Sequence, residues 1–232
     1  MKTAIITYQI PHLKTAQILE RLAQRKSAGQ IDVFAIPFRP FKPRDVVFKH
    51  RPDQNIDIKT PDLCAEYGFG YTEVGADADI PSGYDYYVIT GAGILSPECV
   101  RGKKIVNSHP GAIPAVRGLD AFKWAIHDMQ PMANTLHYVD EAVDMGELIT
   151  IEPTPVYADD TLEILATRLY DSEIALLARF DDFIGKGPYI STYPEREATR
   201  RMPAATEHEM MARFEEYKNR FAVDKKKDGT NG

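Results

Sequence analysis

The stretch that decides the fold reads Ile105-Val106-Asn107-Ser108-His109-Pro110-Gly111-Ala112-Ile113-Pro114. Its first two residues are apolar and β-branched, which predicts a short buried strand. Asn107 and His109 lie two residues apart, so on a strand both side chains point to the same side of the sheet. The prolines and the glycine that follow predict an ordered loop. An amide and an imidazole are therefore expected to converge at a sheet edge, where open α/β folds place their functional sites.

Apolar periodicity on both sides of this stretch predicts alternating strands and helices. Residues 3–8 and 31–37 read as buried strands, and residues 12–26 between them carry apolar positions at helical spacing. Such an opening predicts a right-handed parallel crossover. Further strands are predicted over residues 84–90, 134–139 and 148–152, the last two antiparallel, and helices over residues 60–67, 119–129 and 161–184. The fold class is therefore α/β: a Rossmann-like, mostly parallel twisted sheet flanked by helices, with a small helical C-terminal extension.

The pattern of the chain changes after Ile184, where glycine–proline and tyrosine–proline pairs interrupt the apolar periodicity. Thr206-Glu207-His208-Glu209 then resembles a capping box and predicts a helix that ends near Phe221. The residues that follow are charged or small, which predicts disorder. We therefore predict a main domain over residues 1–184, a C-terminal extension over residues 185–222 and a disordered tail over residues 223–232.

Composition excludes several classes of protein. The 232 residues are 44% hydrophobic, enough for one sizeable core. Lysine and arginine total 28 and aspartate and glutamate 34, a net charge of −6 without a long basic run, which argues against a nucleic-acid partner. Cys64 and Cys99 have no metal-ligand spacing and are expected to be reduced. No apolar run approaches the ~18 residues that span a membrane, and no signal peptide is visible, so we expect a cytoplasmic protein without membrane contact.

Several residues near the motif leave alternatives open. From the residues alone, Asn107 could also cap a turn and His109 could be an ordinary loop histidine. Lys123 is expected to be solvated and Trp124 to be a packing residue. His137 lies on a predicted strand, as either a site residue or a packed histidine.

Asn107-Ser108-His109-Pro110, the later Pro114 and Arg117-Gly118, and Val139-Asp140-Glu141-Ala142-Val143-Asp144-Met145-Gly146 together resemble the folate-dependent formyltransferases. The resemblance is strongest over residues 88–149 and rests on Asn-x-His-Pro followed by Asp-x-Gly at a similar separation. It implies that the main domain is a formyltransferase catalytic domain. It also implies that Asn107, His109 and Asp144 are catalytic and that N10-formyltetrahydrofolate is the co-substrate. The chain departs from the family after the histidine, where Gly111-Ala112-Ile113-Pro114 stands in place of Ser-Leu-Leu-Pro.

The resemblance further implies a folate pocket and an acceptor side. The folate pocket is assigned to Gly91, Ala92, Gly93, Ile94, Leu95 and Ser96 with Asp140, Glu141 and Ala142, although a plain strand-to-helix turn also explains the first six. Acceptor contacts are expected at Pro110, Gly111, Arg117 and Gly118. Arg39 and Arg44 lie in a basic, proline-rich stretch that could meet an anionic group of the acceptor, with a solvated loop as the alternative.

The residue types fit the implied chemistry. Formyl transfer to an amine passes through a tetrahedral intermediate with an oxyanion. The Asn107 amide and a protonated His109 can donate to that oxyanion, and such preorganised donors are commonly worth ~3–4 kcal/mol each. An ionised Asp144 can stabilise the imidazolium and help remove the proton from the attacking amine. No metal cluster is predicted.

The acceptor is predicted less directly. Tyr8-Gln9-Ile10-Pro11-His12 follows the first strand without a glycine, so backbone amides cannot easily approach a phosphate there. This counts against glycinamide ribonucleotide. The short helical end also differs from the β-rich RNA-binding domain of methionyl-tRNA formyltransferases. A small-molecule amine on a nucleotide-linked sugar is the first choice. The alternatives are glycinamide ribonucleotide, hydrolysis of formyltetrahydrofolate, and a non-catalytic folate- or nucleotide-binding module. The oligomeric state stays open, with a homodimer as one alternative.

Overall fold

A seven-stranded sheet organises the described part of the chain. The computed structural model describes residues 1–25, 29–40, 44–140 and 146–225. The strands are β1 Lys2–Tyr8, β2 Gln30–Ile36, β3 Gly70–Glu73, β4 Tyr86–Ile89, β5 Ile105–His109, β6 Ala133–Tyr138 and β7 Leu148–Pro153. The α-helices are α1 Leu13–Ala23, α2 Thr60–Tyr67, α3 Pro97–Val100, α4 Ala121–His127, α5 Leu162–Ala178, α6 Ala204–Ala212 and α7 Phe214–Phe221. Short 3-10 turns cover Asp77–Asp79 and Phe180–Asp182.

The strands lie in the order β3-β2-β1-β4-β5-β6-β7. The pairs from β3 to β5 are parallel, and β6 is antiparallel to both β5 and β7. The predicted α/β, mostly parallel sheet is therefore confirmed, including the antiparallel return. The order reverses between β1 and β4. Open α/β sheets bind ligands at such a reversal, beside the carboxyl ends of the strands.

Helices cover both faces of the sheet. Ala4, Ile5 and Ile6 of β1 are fully enclosed, as is typical of a central parallel strand. Ile5 packs into a core with α1 and α5, whereas Ala4 and Ile6 pack into a second core with α3. Ile105 belongs to that second core. Asn107 and His109 therefore lie on the α3 side of the sheet, because residues two apart on a strand share a face.

The C-terminal helices pack against the rest of the molecule. Met210 of α6 and Tyr217 of α7 are fully buried in a core that also contains residues of α4 and α5. Beyond α7, the Val223 N–H donates to the Val156 carbonyl at 2.9 Å. The boundary expected at residue 184 and the expected tail stay predictions, and residues 226–232 lie outside the described residues.

Three elements differ from the sequence prediction. The helix expected to reach residue 184 ends as α5 at Ala178. The helix expected from Thr206 begins at Ala204, because Pro203 provides the extended N-cap, and it breaks at Arg213 into α6 and α7. The four residues of β3 carry no apolar alternation, so no periodicity predicts that strand.

A buried carboxylate holds residues 44–54, here called the strap. Glu207 accepts the N–H groups of Val47 and Phe48 at 2.9 Å each, and its other oxygen lies 2.7 Å from Lys123 Nζ. Both charged side chains are 0% exposed, so the prediction that Lys123 is solvated is wrong. Burial alone would raise the pKa of the Glu207 carboxyl, but Lys123 and the two amides outweigh burial and lower that pKa. A charge is kept in a protein interior only by partners of this kind.

Replacing Glu207 with leucine should lower the free energy of unfolding by about 3–5 kcal/mol, because it leaves the Lys123 ammonium buried without its counter-charge. Urea unfolding followed by circular dichroism measures this. Glu209→Leu on the same helix is the matched control, since the Glu209 side chain is 67% exposed, and it should change stability by less than about 0.5 kcal/mol. Equal urea midpoints for the two variants would contradict the structural role given to Glu207.

The strap also half-buries a histidine. The His50 ring stacks on Phe122 with 5.8 Å between centroids and 1° between planes. Burial, and then the positive charges of Arg51 and Lys123, lower the pKa of His50 to about 4. His50 is therefore neutral in the folded protein at neutral pH. His12 has a similar pKa, about 4, for similar reasons: burial first, then Lys14 and Arg51.

Lowering the pH from 7 to 5 should destabilise the protein. The folded pKa of about 4 lies below the ordinary histidine value, so between these two values the unfolded chain binds more protons than the folded one. Stability is then fully present above the ordinary value and is lost as the pH falls. His50→Gln should flatten the dependence of the unfolding free energy on pH by up to about 1.4 kcal/mol per pH unit. His208→Gln, at an exposed position, is the matched control for the loss of one imidazole. An unchanged slope in His50→Gln would contradict the lowered pKa of His50 in the folded protein.

Candidate active site

The candidate site is built on β5 and β6. Antiparallel pairing sets Asn107 opposite His137 and His109 opposite Thr135. His109 is 5% exposed and His137 1%, whereas Asn107 is half-buried. The structure thus brings Asn107 and His109 to one face at the end of β5, as the sequence predicts. It adds His137 as the cross-strand neighbour of Asn107.

Hydrogen bonds determine how His137 and Asn107 are oriented. His137 Nδ1 lies 3.0 Å from the Tyr138 carbonyl, and a carbonyl only accepts, so Nδ1 carries the hydrogen. In the neutral ring Nε2 is then the acceptor, and Asn107 Nδ2 donates to it at 3.2 Å. The amide nitrogen of Asn107 is thereby held toward β6. The sequence left two alternatives for His137, a site residue or a packed histidine. The structure shows His137 packed within the sheet and also in contact with Asn107, a candidate catalytic residue.

A loop carbonyl orients His109. His109 Nε2 lies 3.1 Å from the Val116 carbonyl, so Nε2 is the protonated donor. Gly111 allows this approach, because a Cβ there would lie 2.5 Å from Val116 O and 2.8 Å from His109 Nε2. Thr135 fastens the loop by donating to Gly111 O at 2.6 Å and accepting from Ile113 N at 3.1 Å. The described contacts of Gly111 therefore leave no space for a larger residue at this position.

The segment assigned to the folate pocket lies on the same face of the sheet. Ala92, Leu95 and Val139 pack with Ile105 in one apolar core, while Ile94 is 90% exposed. Ser96 caps α3 and bonds to Asp77 through both its N–H and its hydroxyl. The described part of this segment therefore places apolar side chains on the same face of the sheet as Asn107 and His109, and apolar side chains are the predominant lining of small-molecule pockets. Asp140 is described and exposed, whereas Glu141, Ala142 and Asp144 lie outside the described residues.

The predicted acceptor residues divide into groups with different surroundings. Arg117 donates from Nε to the Arg196 carbonyl at 2.8 Å. Gly118 has a φ of +92°, and a Cβ there would clash with Thr199. Both residues therefore contact the C-terminal extension, which no local sequence signal indicates. Pro110 lies in the turn between His109 and Gly111 and is half-buried.

The two arginines predicted to meet an anion also differ. Arg39 is exposed. Arg44 donates to Asp120 at 3.1 Å and to the Met202 carbonyl at 3.3 Å, and it lies 3.5 Å from Glu207. Arg44 is thus not the free cation of a solvated loop, since its guanidinium joins the strap to the C-terminal extension.

The N-terminus of α1 is capped from within the chain, a feature that the sequence does not reveal. The Leu13 N–H donates to the Gln54 carbonyl at 2.9 Å, and the Lys14 N–H to Gln54 Oε1 at 3.3 Å. Lys14 and Arg51 each donate to the buried Glu173 at 2.6 Å. Burial would raise the pKa of Glu173, but Arg51 and Lys14 outweigh burial and lower it. The first N–H groups of α1 therefore already bond to oxygens of Gln54, and the Lys14 ammonium already pairs with the Glu173 carboxylate.

Aromatic rings fill the reversal point between β1 and β4. The Tyr8 ring lies edge-on to His12 at 5.4 Å and to Phe38 at 5.1 Å. A Cβ on Gly91 would lie 2.8 Å from the Tyr8 ring, so glycine is required where β4 ends. The reversal point is therefore occupied by aromatic rings next to the loop of residues 91–96.

No group of three His, Cys, Asp or Glu side chains within residues 1–25, 29–40, 44–140 and 146–225 could hold a metal ion. No helix in the same ranges is long and apolar enough to cross a membrane.

Comparison with known proteins agrees with the motifs. Residues 82–180 match the family model described as formyl transferase. Phosphoribosylglycinamide formyltransferase of Bacillus subtilis (strain 168) is 38% identical over 73 residues, which are 31% of this chain and 37% of that protein. The trifunctional purine biosynthetic protein adenosine-3 of Gallus gallus is 37% identical over 71 residues, 30% of this chain and 7% of that protein. The chain thus spans well under two thirds of these relatives' lengths.

Solved structures extend the likeness to the fold. A 4-N formyltransferase from Francisella tularensis superposes with a TM-score of 0.60 at 16% identity, covering 92% of this chain and 87% of that one. A phosphoribosylglycinamide formyltransferase from Streptococcus pneumoniae TIGR4 superposes with a TM-score of 0.54 at 20% identity, covering 78% and 97%. The resemblance carried by the motifs is confirmed: residues 82–180 match the formyl transferase family model, and the chain shares its fold with solved formyltransferases.

Proposed function

We propose that this protein transfers a formyl group from N10-formyltetrahydrofolate to a primary amine, and that the amine belongs to a nucleotide-linked amino sugar. The observation that carries the proposal is the convergence of Asn107 and His109 on one face of β5, each held by a specific hydrogen bond, inside the matching domain. The apolar wall of Ala92, Leu95 and Val139 supports a donor site next to them.

The proposed mechanism uses positioned donors. The amine attacks the formyl carbon, a C–N bond forms, and the carbonyl oxygen becomes an oxyanion. Asn107 Nδ2 carries two hydrogens, one of which is directed to His137, so the other can donate to the oxyanion. Collapse of the intermediate breaks the bond to N10 of the folate, and the proton that the amine loses ends on that nitrogen.

His109 is proposed to move that proton. Its Nε2 hydrogen is directed to the Val116 carbonyl, so proton exchange with the reacting groups falls to Nδ1. The sequence motif supplies Asp144 as the carboxylate that stabilises the imidazolium. Removal of any of the three groups should therefore raise the barrier of the chemical step.

Asn107→Ala, His109→Ala and Asp144→Ala are each expected to lower kcat by at least ~100-fold, because each removes a charge or hydrogen bond used in the transition state. Steady-state transfer assays with formyltetrahydrofolate measure this, and circular dichroism checks the fold. His208→Ala, at an exposed position on α6, should keep the activity of the wild type. Near-normal turnover in one of the three variants removes that residue from the mechanism.

The contacts at the start of α1 favour an acceptor that does not place a phosphate at this end of the helix. Helix N-termini bind phosphates through open N–H groups. Here Gln54 occupies two of those groups, and Glu173 balances the charge of Lys14. His12, with a pKa of about 4, adds no positive charge at neutral pH. These contacts argue against the ribonucleotide phosphate of glycinamide ribonucleotide at this position.

The structural neighbours support the same choice of acceptor. The neighbours described as a sugar N-formyltransferase from Shewanella and a 4-N formyltransferase from Francisella tularensis each cover 92% of this chain. The phosphoribosylglycinamide formyltransferase from Streptococcus pneumoniae covers 78%. The fold of this chain is thus matched over a greater length by the first two.

The diphosphate of such an acceptor requires cationic donors elsewhere. Arg44 is held by Asp120 and by the Met202 carbonyl, so we assign the diphosphate to Arg39 and Lys49, which are both exposed. Lys49 also lines a cavity of about 300 Å³ between the strap, α1 and α5.

The variant with both Arg39→Glu and Lys49→Glu should raise the acceptor KM by about 10-fold or more and leave the KM of formyltetrahydrofolate unchanged, because charge reversal repels the diphosphate. Arg21→Glu, an exposed reversal on α1, is the control and should change neither constant. The acceptor panel contains nucleotide-linked amino sugars and glycinamide ribonucleotide, with products followed by mass. Faster formylation of glycinamide ribonucleotide than of every amino sugar would show that the proposed acceptor class is wrong.

A further inference from the structure

We propose that Thr199, in the C-terminal extension, is a positioning residue for His109. The inference rests on the proposed function, in which His109 moves a proton at the reacting groups. Thr199 lies far along the chain from the formyl transferase motif, outside the residues that match the family model. The loop that follows β5 nevertheless connects it to the imidazole, because His109 bonds to Val116 and Thr199 bonds to the next residue, Arg117.

The first contact in this series lies at His109 itself. Its Nε2 donates to the Val116 carbonyl at 3.1 Å, and the Val116 N–H donates back to the Ala112 carbonyl at 2.8 Å. The direction of one carbonyl therefore decides which ring nitrogen carries the hydrogen and how the ring is turned. A loop that allowed Val116 to rotate would release both.

The second set of contacts joins the extension to the residues just after Val116. The Thr199 N–H donates to the Arg117 carbonyl at 2.9 Å, and the Leu119 N–H donates to the Thr199 carbonyl at 2.9 Å. The Thr199 hydroxyl lies 2.9 Å from the Arg117 carbonyl and 3.0 Å from the Leu119 carbonyl. Gly118 lies between them with a φ of +92° and has no room for a side chain against Thr199. The extension thus holds three consecutive loop residues.

The third set of contacts keeps Thr199 itself in place. The carbonyls on either side of it accept from the loop and from α4: Arg196 O from Arg117 Nε at 2.8 Å, and Arg200 O from Trp124 Nε1 at 2.7 Å. A little further on, the Met202 N–H donates to Asp120 at 2.9 Å. Thr199 therefore sits on a fixed frame and transmits that rigidity to the loop. The C-terminal extension therefore acts on the site by holding the loop that orients His109. This role does not require the extension to contact a substrate.

Thr199→Val is the direct test, because valine keeps the shape of threonine and loses the hydroxyl. Thr192→Val is the matched control, at an exposed position on the same segment. We expect kcat of Thr199→Val to fall about 3- to 10-fold, the effect of one hydrogen bond on the chemical step, with the KM of formyltetrahydrofolate unchanged. Thr199→Ser restores the hydroxyl and should restore wild-type kcat.

The second readout is the nitrogen-15 NMR spectrum of the His109 imidazole. In the wild type it should report the Nε2-protonated form at a pH where the ring is neutral. In Thr199→Val the Nδ1-protonated form should become populated, while Thr192→Val and Thr199→Ser should match the wild type. A merely structural role would lower thermal stability without changing the ring's tautomer.

Two results would overturn the inference. One is a His109 spectrum in Thr199→Val identical to that in Thr192→Val. The other is an equal loss of kcat in the valine and serine variants. The spectrum requires no substrate, so it tests the positioning role even if the wild type fails to transfer a formyl group, and that failure would count against the proposed function alone.

Discussion

The antiparallel pairing of β5 with β6 is the constraint on which the candidate site depends. If β5 and β6 were parallel, both strands would end at the same edge of the sheet. His109 and His137 would then each lie next to a different connecting segment. Here β6 runs back along β5, so His137 stands directly opposite Asn107. The register also sets Thr135 opposite His109, where its hydroxyl fastens the loop after β5. A slip of β6 by one residue would turn His137 and Thr135 to the other face.

Buried carboxylates connect the parts of the chain that surround this pair of strands. Glu173 joins α5 to Lys14 on α1 and to Arg51 on the strap. Glu207 joins α6 to Lys123 on α4 and to the strap's backbone, and Asp120 joins Arg44 to the C-terminal extension. Each carboxylate has more than one partner, as the cost of burying its charge requires. Arg44 and Arg51 are therefore committed to the fold, whereas Arg39 and Lys49 remain exposed.

The sequence predicts features that depend on residues close together along the chain, and it does not predict contacts between distant segments. Asn107 and His109 are two apart on a strand, so their convergence follows from local geometry. The parallel sheet likewise follows from runs of apolar residues separated by helical periodicity. The burial of Lys123 could not be predicted, because its partner Glu207 comes from a helix much later in the chain. The same holds for the capping of α1 by Gln54 and for the contact of Thr199 with the loop, since both require the tertiary fold.

The bonds between the strap and Glu207 have a consequence for the order in which the protein is made. The amide of Val47 and its carboxylate partner are separated by 160 residues, and Arg44 and the Met202 carbonyl by 158. During synthesis the early strands can pair while the strap still lacks these partners, because the ribosome releases the N-terminal residues first. Closing so long a loop costs entropy that only the finished contacts repay. The strap over the start of α1 is thus held in place only after residues 202–207 have emerged, so a nascent chain can form the sheet before the strap is fixed.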